Sequence, residues 1–480
     1  LLARHAREAH TIIPMKLSDS RQSPVIHRGT IAGQVVSLAW PVLLQQFLLL
    51  AVSLYDFYLA GNNPPADPSQ HTAYQAAQTN ANYLGWFISS YTVLVSVGAT
   101  ALVARFVGCG DMAGAVRTTN QAMMLAVGLG LLGGGAGLLM ARPVVWVLGV
   151  PGDAAEFAVA FLQPLLGLLV FQVVEAAGIA CLVGAGDTRT GMVIRGTVAV
   201  VNLPMAWGLF HGFGPLPALG FVGIAWGTAF SHAFGCLAVA AVLCRGRYGL
   251  RLHRPDLWPL DGSLLYRLLR VSVPAAVDSL SVILGQFWFL YLVNRLGPDA
   301  IAAHGVAIVL EAPGYQSAHA FGTAAMALVG QYLGAKRPAD AARSGRVALL
   351  QGGAFVCAMG LLYGLPARWL FQLYCPHPHQ QAAVEMGVPV LRLVAAAMPA
   401  LACTTILTAA LRGAGDVRRP VLFTWVGFLF VRIPLAYLLT SDVVGWGLFG
   451  AWLAMFADLY VRGGFFLARF ASGRWKSARV

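Results

Sequence analysis

Twelve apolar runs, each long enough to cross a lipid bilayer, divide this chain from near its start to its end. They fall at roughly 33–60, 84–106, 118–140, 158–182, 193–211, 221–244, 268–294, 301–330, 347–366, 388–411, 421–439 and 446–468. A hydrocarbon core of about 30 Å is crossed by about 20 helical residues at 1.5 Å each. A soluble protein of two or three domains does not carry such a pattern. The composition agrees, with 58% apolar and 11% charged residues against about 45–50% and about 25% in soluble domains. Mean hydropathy is +0.69. The alternating segments of about ten residues that a membrane barrel needs are absent. The expected fold class is an all-α membrane protein with twelve transmembrane helices.

The charges sort by side. Lys and Arg outnumber Asp and Glu by 32 to 19, and the arginines cluster in alternate gaps between runs. The N-terminal stretch, the even-numbered gaps (Arg105/Arg117, Arg189/Arg195, Arg245 to Arg270, Lys336 to Arg346, Arg412 to Arg419) and the C-terminal tail together hold 26, and the other side holds Arg142, Arg295 and Arg368. Positive residues stay on the cytoplasmic side, so both termini are expected in the cytoplasm of a multi-pass cell-membrane protein. The first outer loop, Gly61 to Tyr83, contains no Lys or Arg. A basic balance distributed in this way argues against nucleic acid as a partner. Residues 1–30 are polar and basic and begin at Leu, so Met15 is the expected start, with the preceding residues a reading-frame extension. No signal-peptide pattern is present.

The two halves repeat each other. Ala101-Leu-Val-Ala-Arg-Phe-Val-Gly108 aligns with Ala327-Leu-Val-Gly-Gln-Tyr-Leu-Gly334, Leu182-Val-Gly-Ala-Gly-Asp-Thr-Arg189 with Leu411-Arg-Gly-Ala-Gly-Asp-Val-Arg418, and Asn202-Leu-Pro-Met-Ala-Trp207 with Arg432-Ile-Pro-Leu-Ala-Tyr437. Six spans per half is an even number, so both halves enter from the same side. The expectation is two six-helix bundles related by pseudo-twofold symmetry about the membrane normal, facing a central cleft, as alternating access requires. The N-lobe is expected at 31–245 and the C-lobe at 268–470. A cytoplasmic linker (246–267) and two tails (1–30 and 471–480) complete the chain.

Several chemistries are excluded. No Lys follows a Gly in a Walker A pattern, which removes a single-chain ATP-driven pump. Gly108-Cys-Gly-Asp111 and Gly184-Ala-Gly-Asp187 follow membrane helices rather than strands, so they read as helix ends and turns, not dinucleotide loops. The seven cysteines form no CxxC pair or zinc spacing, and His377 and His379 after Cys375 read as a polar loop. No nucleophile–base set shares one bilayer depth. An enzyme is not expected, nor any cofactor or metal beyond a coupling ion, H+ or Na+.

Five acids fall within the apolar runs: Asp56, Glu175, Asp278, Glu311 and Asp458. An ionised Asp at a helix centre costs about 2.5–3.5 kcal/mol on insertion scales, so such a residue points to a functional site. Asp458, four residues before Arg462, reads instead as an interfacial pair near a helix end. Glu311 stands two residues before Pro313, where freed backbone groups and a carboxyl share one depth, and is expected in the cleft or the second lobe's interior. Gln45, Leu49, Val52 and Asp56 share a helix face. Desolvation there favours a neutral carboxyl, so Asp56 is the expected principal coupling residue.

The order and duplication of these motifs resemble the multidrug and toxic compound extrusion (MATE) family over nearly all of residues 30–470. The resemblance rests on Pro41 through Asp56-Phe-Tyr-Leu-Ala-Gly61, Gly108-Cys-Gly-Asp111, Gly184-Ala-Gly-Asp-Thr-Arg189, Asn202, Gly220-Phe-Val-Gly-Ile-Ala225, Leu328-Val-Gly-Gln-Tyr-Leu-Gly-Ala335 and Leu411-Arg-Gly-Ala-Gly-Asp416. It implies a secondary active antiporter that exports small organic compounds, cationic or amphipathic, in exchange for protons or sodium. The alternative within the same superfamily is a lipid-linked precursor flippase. Asp56 matches the family's first-helix acid and Asn202 its fifth-helix Asn, while Ala206 stands where a second Asp is often found. Thr228 matches a sixth-helix hydroxyl, and Glu175 is expected to share the charge. The family's acids in helices seven and ten fall on Val282 and Leu401, and Asp278, one turn before Val282, stands in. The ion-coupling set is therefore Asp56, Asn202, Glu175 and Thr228. Glu311 and Asp278 form the substrate or second-lobe site, in a monomer embedded in the lipid bilayer.

Overall fold

A computed structural model describes residue 26 and residues 29–62, 70–147 and 152–478. Among these the regular structure is helical, with no strand. The long helices are α1 (Ile31–Asn62), α2 (Gln70–Gly108), α3 (Met112–Val147), α4 (in two pieces, Gly152–Gly167 and Leu169–Ala185), α5 (Thr188–His211), α6 (Phe221–Arg245), α7 (Gly262–Asn294), α8 (Pro298–Gly334), α9 (Pro338–Gly364), α10 (Gln381–Ala414), α11 (Arg418–Thr440) and α12 (Gly447–Ala471).

Ten of these are long and apolar enough to cross a membrane, and the two pieces of α4, bent by 52°, supply an eleventh span when taken together. The sequence leads one to expect twelve, and α8 makes the difference. It has 37 residues, but His304, Glu311, Gln316 and His319 dilute its apolar run. It packs against α1, α2, α9 and α10, so protein rather than lipid surrounds much of it, where polar groups in a bilayer are tolerated. The α4 bend follows Pro164, which has no N–H to return to the carbonyl of Ala160. The expected first outer loop is shorter than its span 61–83, because α2 already begins at Gln70.

Large apolar side chains such as Leu139, Trp146, Val200, Leu350, Leu365 and Phe430 lie on the outside. That is the arrangement expected when the solvent is hydrocarbon.

The glycine motifs end helices as their sequence context indicates. Gly186 and Gly415 take left-handed φ values of 90° and 88° and cap α4 and α10. Asp187 then caps α5, accepting from the Thr190 amide at 3.0 Å.

Contacts between the halves are reciprocal. Helix α1 packs against α8, and α2 against α7; exchanging the halves turns one pair into the other. At the Arg-rich end, Gly108 lies against the backbone of Gln331, and its aligned mate Gly334 lies against the backbone of Arg105, the aligned mate of Gln331. A Cβ at either glycine would overlap that backbone. The two mates also reach across to helix ends: Arg105 Nη2 donates to Ala414 O at 2.9 Å and Gln331 Nε2 to Gly184 O at 2.8 Å. Tyr332 Oη donates to Gln34 Oε1 at 2.8 Å. This end of the bundle is closed.

Candidate functional site

In the first half, the geometry around Asp56 starts from Gln45. Gln45 is buried and its amide nitrogen lies 3.5 Å from Thr188 O at the start of α5, beside Gly191. Eleven residues further along both helices, about three turns, stand Asp56 on α1 and Asn202 on α5. The two residues therefore sit at about the same height on facing sides of packed helices, away from the closed end.

Asn202 is 1% exposed, and its Nδ2 donates to Thr228 Oγ1 on α6 at 3.0 Å. The Thr228 hydroxyl in turn donates to Ile224 O at 3.1 Å. That leaves two buried oxygens, Asp56 Oδ1 and Asn202 Oδ1, without a hydrogen-bond partner among the described residues. Both are acceptors, and a buried acceptor without a donor is unfavourable. The arrangement can hold a proton, a metal cation or an organic ammonium.

Glu175 belongs to a different cluster. It is fully buried on α4, with His232 Nδ1 of α6 at 2.7 Å from one carboxyl oxygen and Arg195 Nη1 of α5 at 3.2 Å from the other. The Arg195 contact is an ion pair whose geometry is not that of a hydrogen bond. The expectation that Glu175 shares the charge of Asp56 is corrected here: Glu175 is ion-paired with Arg195, and His232 lies against its other oxygen. Arg195, counted by sequence among loop residues, lies inside α5 with a side chain 17% exposed.

The second half is more highly charged. Asp278 on α7 is 4% exposed and accepts from Arg412 Nη2 of α10 at 2.7 Å. It is thus the partner of an arginine rather than a free stand-in for the acid at Val282. Asp458 is also not interfacial. It is fully buried on α12 and accepts from Arg462 Nε at 2.8 Å, Arg462 Nη2 at 2.7 Å and Arg432 Nε at 3.1 Å.

A π turn over Phe428–Arg432 in α11 precedes this contact, a distortion that recurs at functional sites. The Phe428 ring lies under both guanidiniums, 4.3 Å from that of Arg432 and 5.0 Å from that of Arg462. Arg432 occupies the place in the second repeat that Asn202 holds in the first. Glu311, partly buried on α8, lies in the field of Arg432.

Comparison with known proteins decides the family. The MatE family model matches residues 41–207 and again 274–438. This chain belongs to the MATE family.

A relative named probable multidrug resistance protein NorM, from Thermotoga maritima, is 25% identical over 94% of both chains. Another of that name from Bradyrhizobium diazoefficiens is 28% identical over 93% of this chain and 94% of its own length. Among solved structures, MATE in complex with MaL6 superposes with a TM-score of 0.85 at 19% identity, covering 95% of this chain and 100% of that one. A MOP superfamily transporter from Pyrococcus furiosus, described as having a reversed binding-pocket polarity, gives 0.85 at 20% identity over 95% and 99%. At such identities the structures speak for the MATE fold alone.

Within this MATE fold, the residues that sequence reasoning missed are the basic partners of the buried acids. Arg195, His232, Arg412 and Arg432 each face a buried acid. Only the i,i+4 spacing of Asp458 and Arg462 carried a local signal of pairing; the others are brought together by packing between helices.

Proposed function

We propose that the protein is a secondary active antiporter, exporting organic compounds, cationic or amphipathic, in exchange for protons or sodium by alternating access. The observation that carries this reading is the pair of oxygens on Asp56 and Asn202, unpartnered among the described residues, at one height between α1 and α5. Such a pair at membrane depth is stabilised by a cation, and a proton, a sodium ion and an ammonium substrate compete for it by charge alone. The multidrug resistance names of the NorM relatives support the same reading. An entering proton supplies about 2.3 kcal/mol per 100 mV of membrane potential. No cofactor besides the exchanged ion is required.

The two lobes are residues 31–245 and 268–470, joined by 246–267 and related by an axis near the membrane normal. The reciprocal contacts at the Arg-rich end support that relation. The Arg-rich end is cytoplasmic, which puts both termini on the cytoplasmic side of the cell membrane. The protein works as a monomer in the bilayer.

The test is ethidium efflux from cells lacking their own pumps. Expression of the protein is expected to lower ethidium accumulation. An ionophore that collapses the proton gradient, or removal of sodium, is expected to abolish the effect, and which of the two does so names the ion. Efflux that survives both treatments rejects secondary antiport.

A further inference from the structure

The segment that joins the two halves, between α6 and α7, is held by its backbone. Two adjacent side chains of α3 do this. Asn120 Nδ2 donates to Arg251 O at 2.9 Å, and Asn120 Oδ1 accepts from the His253 amide at 2.9 Å. Gln121 Nε2 donates to Asp256 O at 2.8 Å, and Gln121 Oε1 accepts from the Asp261 amide at 3.0 Å. Asn120 is 0% exposed and Gln121 1%, so these bonds are shielded from water. Both residues lie about 12 Å along α3 from its start at Met112, at 1.5 Å per residue. The segment is therefore pressed against the flank of the bundle rather than hanging beyond its tip, and it ends on Asp261, the cap of α7.

What this strap shows to the outside is amphipathic. Trp258 is 69% exposed, and Leu260 and Tyr266 are exposed as well. Arg251 and Arg270 are exposed, as is Arg117, which shares a face of α3 with Asn120 and Gln121. No ion pair reaches these three arginines among the described residues, because the nearby acids are engaged elsewhere. Asp187 pairs with Arg247, Asp256 faces His253, and Asp261 accepts from Ser263 and Leu264. On α7, Tyr266, Arg270, Val273 and Val277 form one exposed stripe at helical spacing, with buried or half-buried residues between them. An aromatic ring, a cation and then aliphatic groups is the order met in passing from the surface of a leaflet into its acyl chains.

We propose that this strap is a docking surface for anionic phospholipid in the leaflet at the Arg-rich end. The lipid phosphates lie against Arg117, Arg251 and Arg270, while Trp258 and Leu260 sit among the headgroups and upper acyl chains. Charge complementarity decides the occupant. A zwitterionic lipid brings no net charge to three unpaired arginines, and a soluble phosphate leaves Trp258 and Leu260 in water. An anionic phospholipid satisfies both kinds of group. Each arginine near an anionic surface strengthens binding about fivefold, and the buried apolar side chains add a contribution of their own. Because Asn120 and Gln121 already fix the backbone, little ordering remains to be done when the lipid arrives.

The experiment follows the melting temperature of the purified full chain in detergent as dioleoyl phosphatidylglycerol, dioleoyl phosphatidylcholine or inorganic phosphate is added, since a species that binds the folded state raises it with concentration. The wild type is expected to be stabilised by phosphatidylglycerol well beyond phosphatidylcholine, and not by inorganic phosphate. The variant Arg117→Gln/Arg251→Gln/Arg270→Gln is expected to need about a hundredfold more phosphatidylglycerol for the same rise, at about fivefold per arginine, with its response to phosphatidylcholine unchanged. A control that removes equal charge from the same end, Arg343→Gln/Arg346→Gln/Arg418→Gln, is expected to respond as the wild type does. If the first triple variant does not fold, the three single variants, each expected to weaken binding about fivefold, decide instead. Equal losses in the control and in the strap variants mean that net charge alone attracts the lipid, and overturn the proposal. So does a strap variant with the wild-type response, and so does inorganic phosphate that matches phosphatidylglycerol at the same concentration, which makes the occupant a soluble anion.

Discussion

Asp458 accepts three hydrogen bonds from two arginines with no solvent beside it. Asp458→Ala leaves both guanidiniums buried without a carboxylate. Removing one partner of a buried ion pair costs about 3–5 kcal/mol, so the variant is expected to melt well below the wild type in detergent and to yield less folded protein. A melting temperature within a degree or two of the wild type would show that water reaches those arginines. Asp261, outside the spans, makes the opposite kind of contribution. It caps α7, accepting from the Ser263 hydroxyl at 2.7 Å and from the Leu264 and Ser263 amides at 3.2 and 3.0 Å. These bonds, that of the Ser263 side chain first, hold its carboxyl below the usual carboxylate range. Because the folded value is the depressed one, the stabilisation is present above the unfolded pKa of about 4 and is lost as pH falls through the folded value. Asp261→Ala is expected to cost about 1 kcal/mol, as lost caps do, at neutral pH and little in strong acid. Thermal melts at the two pH values check it.

At the scale of elements, α2 and α8 meet through Gly108 and Gly334, each lying on the other helix's backbone. A leucine at either place forces the two helices apart, because backbone, unlike a flexible side chain, has nowhere to go. Gly108→Leu and Gly334→Leu are each expected to open the Arg-rich end, and labelling from that side of a cysteine introduced between the lobes, in a background lacking the exposed Cys109 and Cys244, is expected to be faster with either leucine than without it. Unchanged labelling would mean that this contact does not hold the end shut. Both glycines, and their place in the repeat, were legible in the sequence, as were the helix ends at Gly186 and Gly415 and the run of apolar segments. The counter-charges were not. Arg195 and Arg412 stand near the ends of apolar runs, where a count of charge by side assigns them to loops; their side chains instead reach inward to Glu175 and Asp278. Asp458 with Arg462 looks interfacial in a linear reading, because nothing in the local pattern announces that the π turn of α11 precedes Arg432 at the same carboxylate. Helix α8 is the converse: its run at 301–330 was legible as a span although His304, Glu311 and His319 dilute it, and those polar groups are tolerated because other helices surround it.

Among the described residues the molecule joins an acid with one unpartnered oxygen in one half, buried acid–arginine pairs in the other, and a closed, reciprocally packed end between them. Alternating access follows if the closed end opens as the opposite end closes, carrying Asp56 and its occupant from one side to the other. Asn202 and Thr228 hold the second oxygen of that site in place. Asn202→Ala is therefore expected to lower the affinity for the coupling ion about tenfold while leaving expression intact, read as a shift in the ion concentration that gives half-maximal efflux; one hydrogen bond to a charged group contributes about 1.5–3 kcal/mol. The most direct test is efflux of ethidium from proteoliposomes under an imposed proton or sodium gradient, comparing the wild type with Asp56→Asn at matched protein content. The account predicts uphill, gradient-dependent efflux by the wild type and none by Asp56→Asn, with both proteins folded. Gradient-driven uphill efflux by Asp56→Asn at the wild-type rate would contradict it.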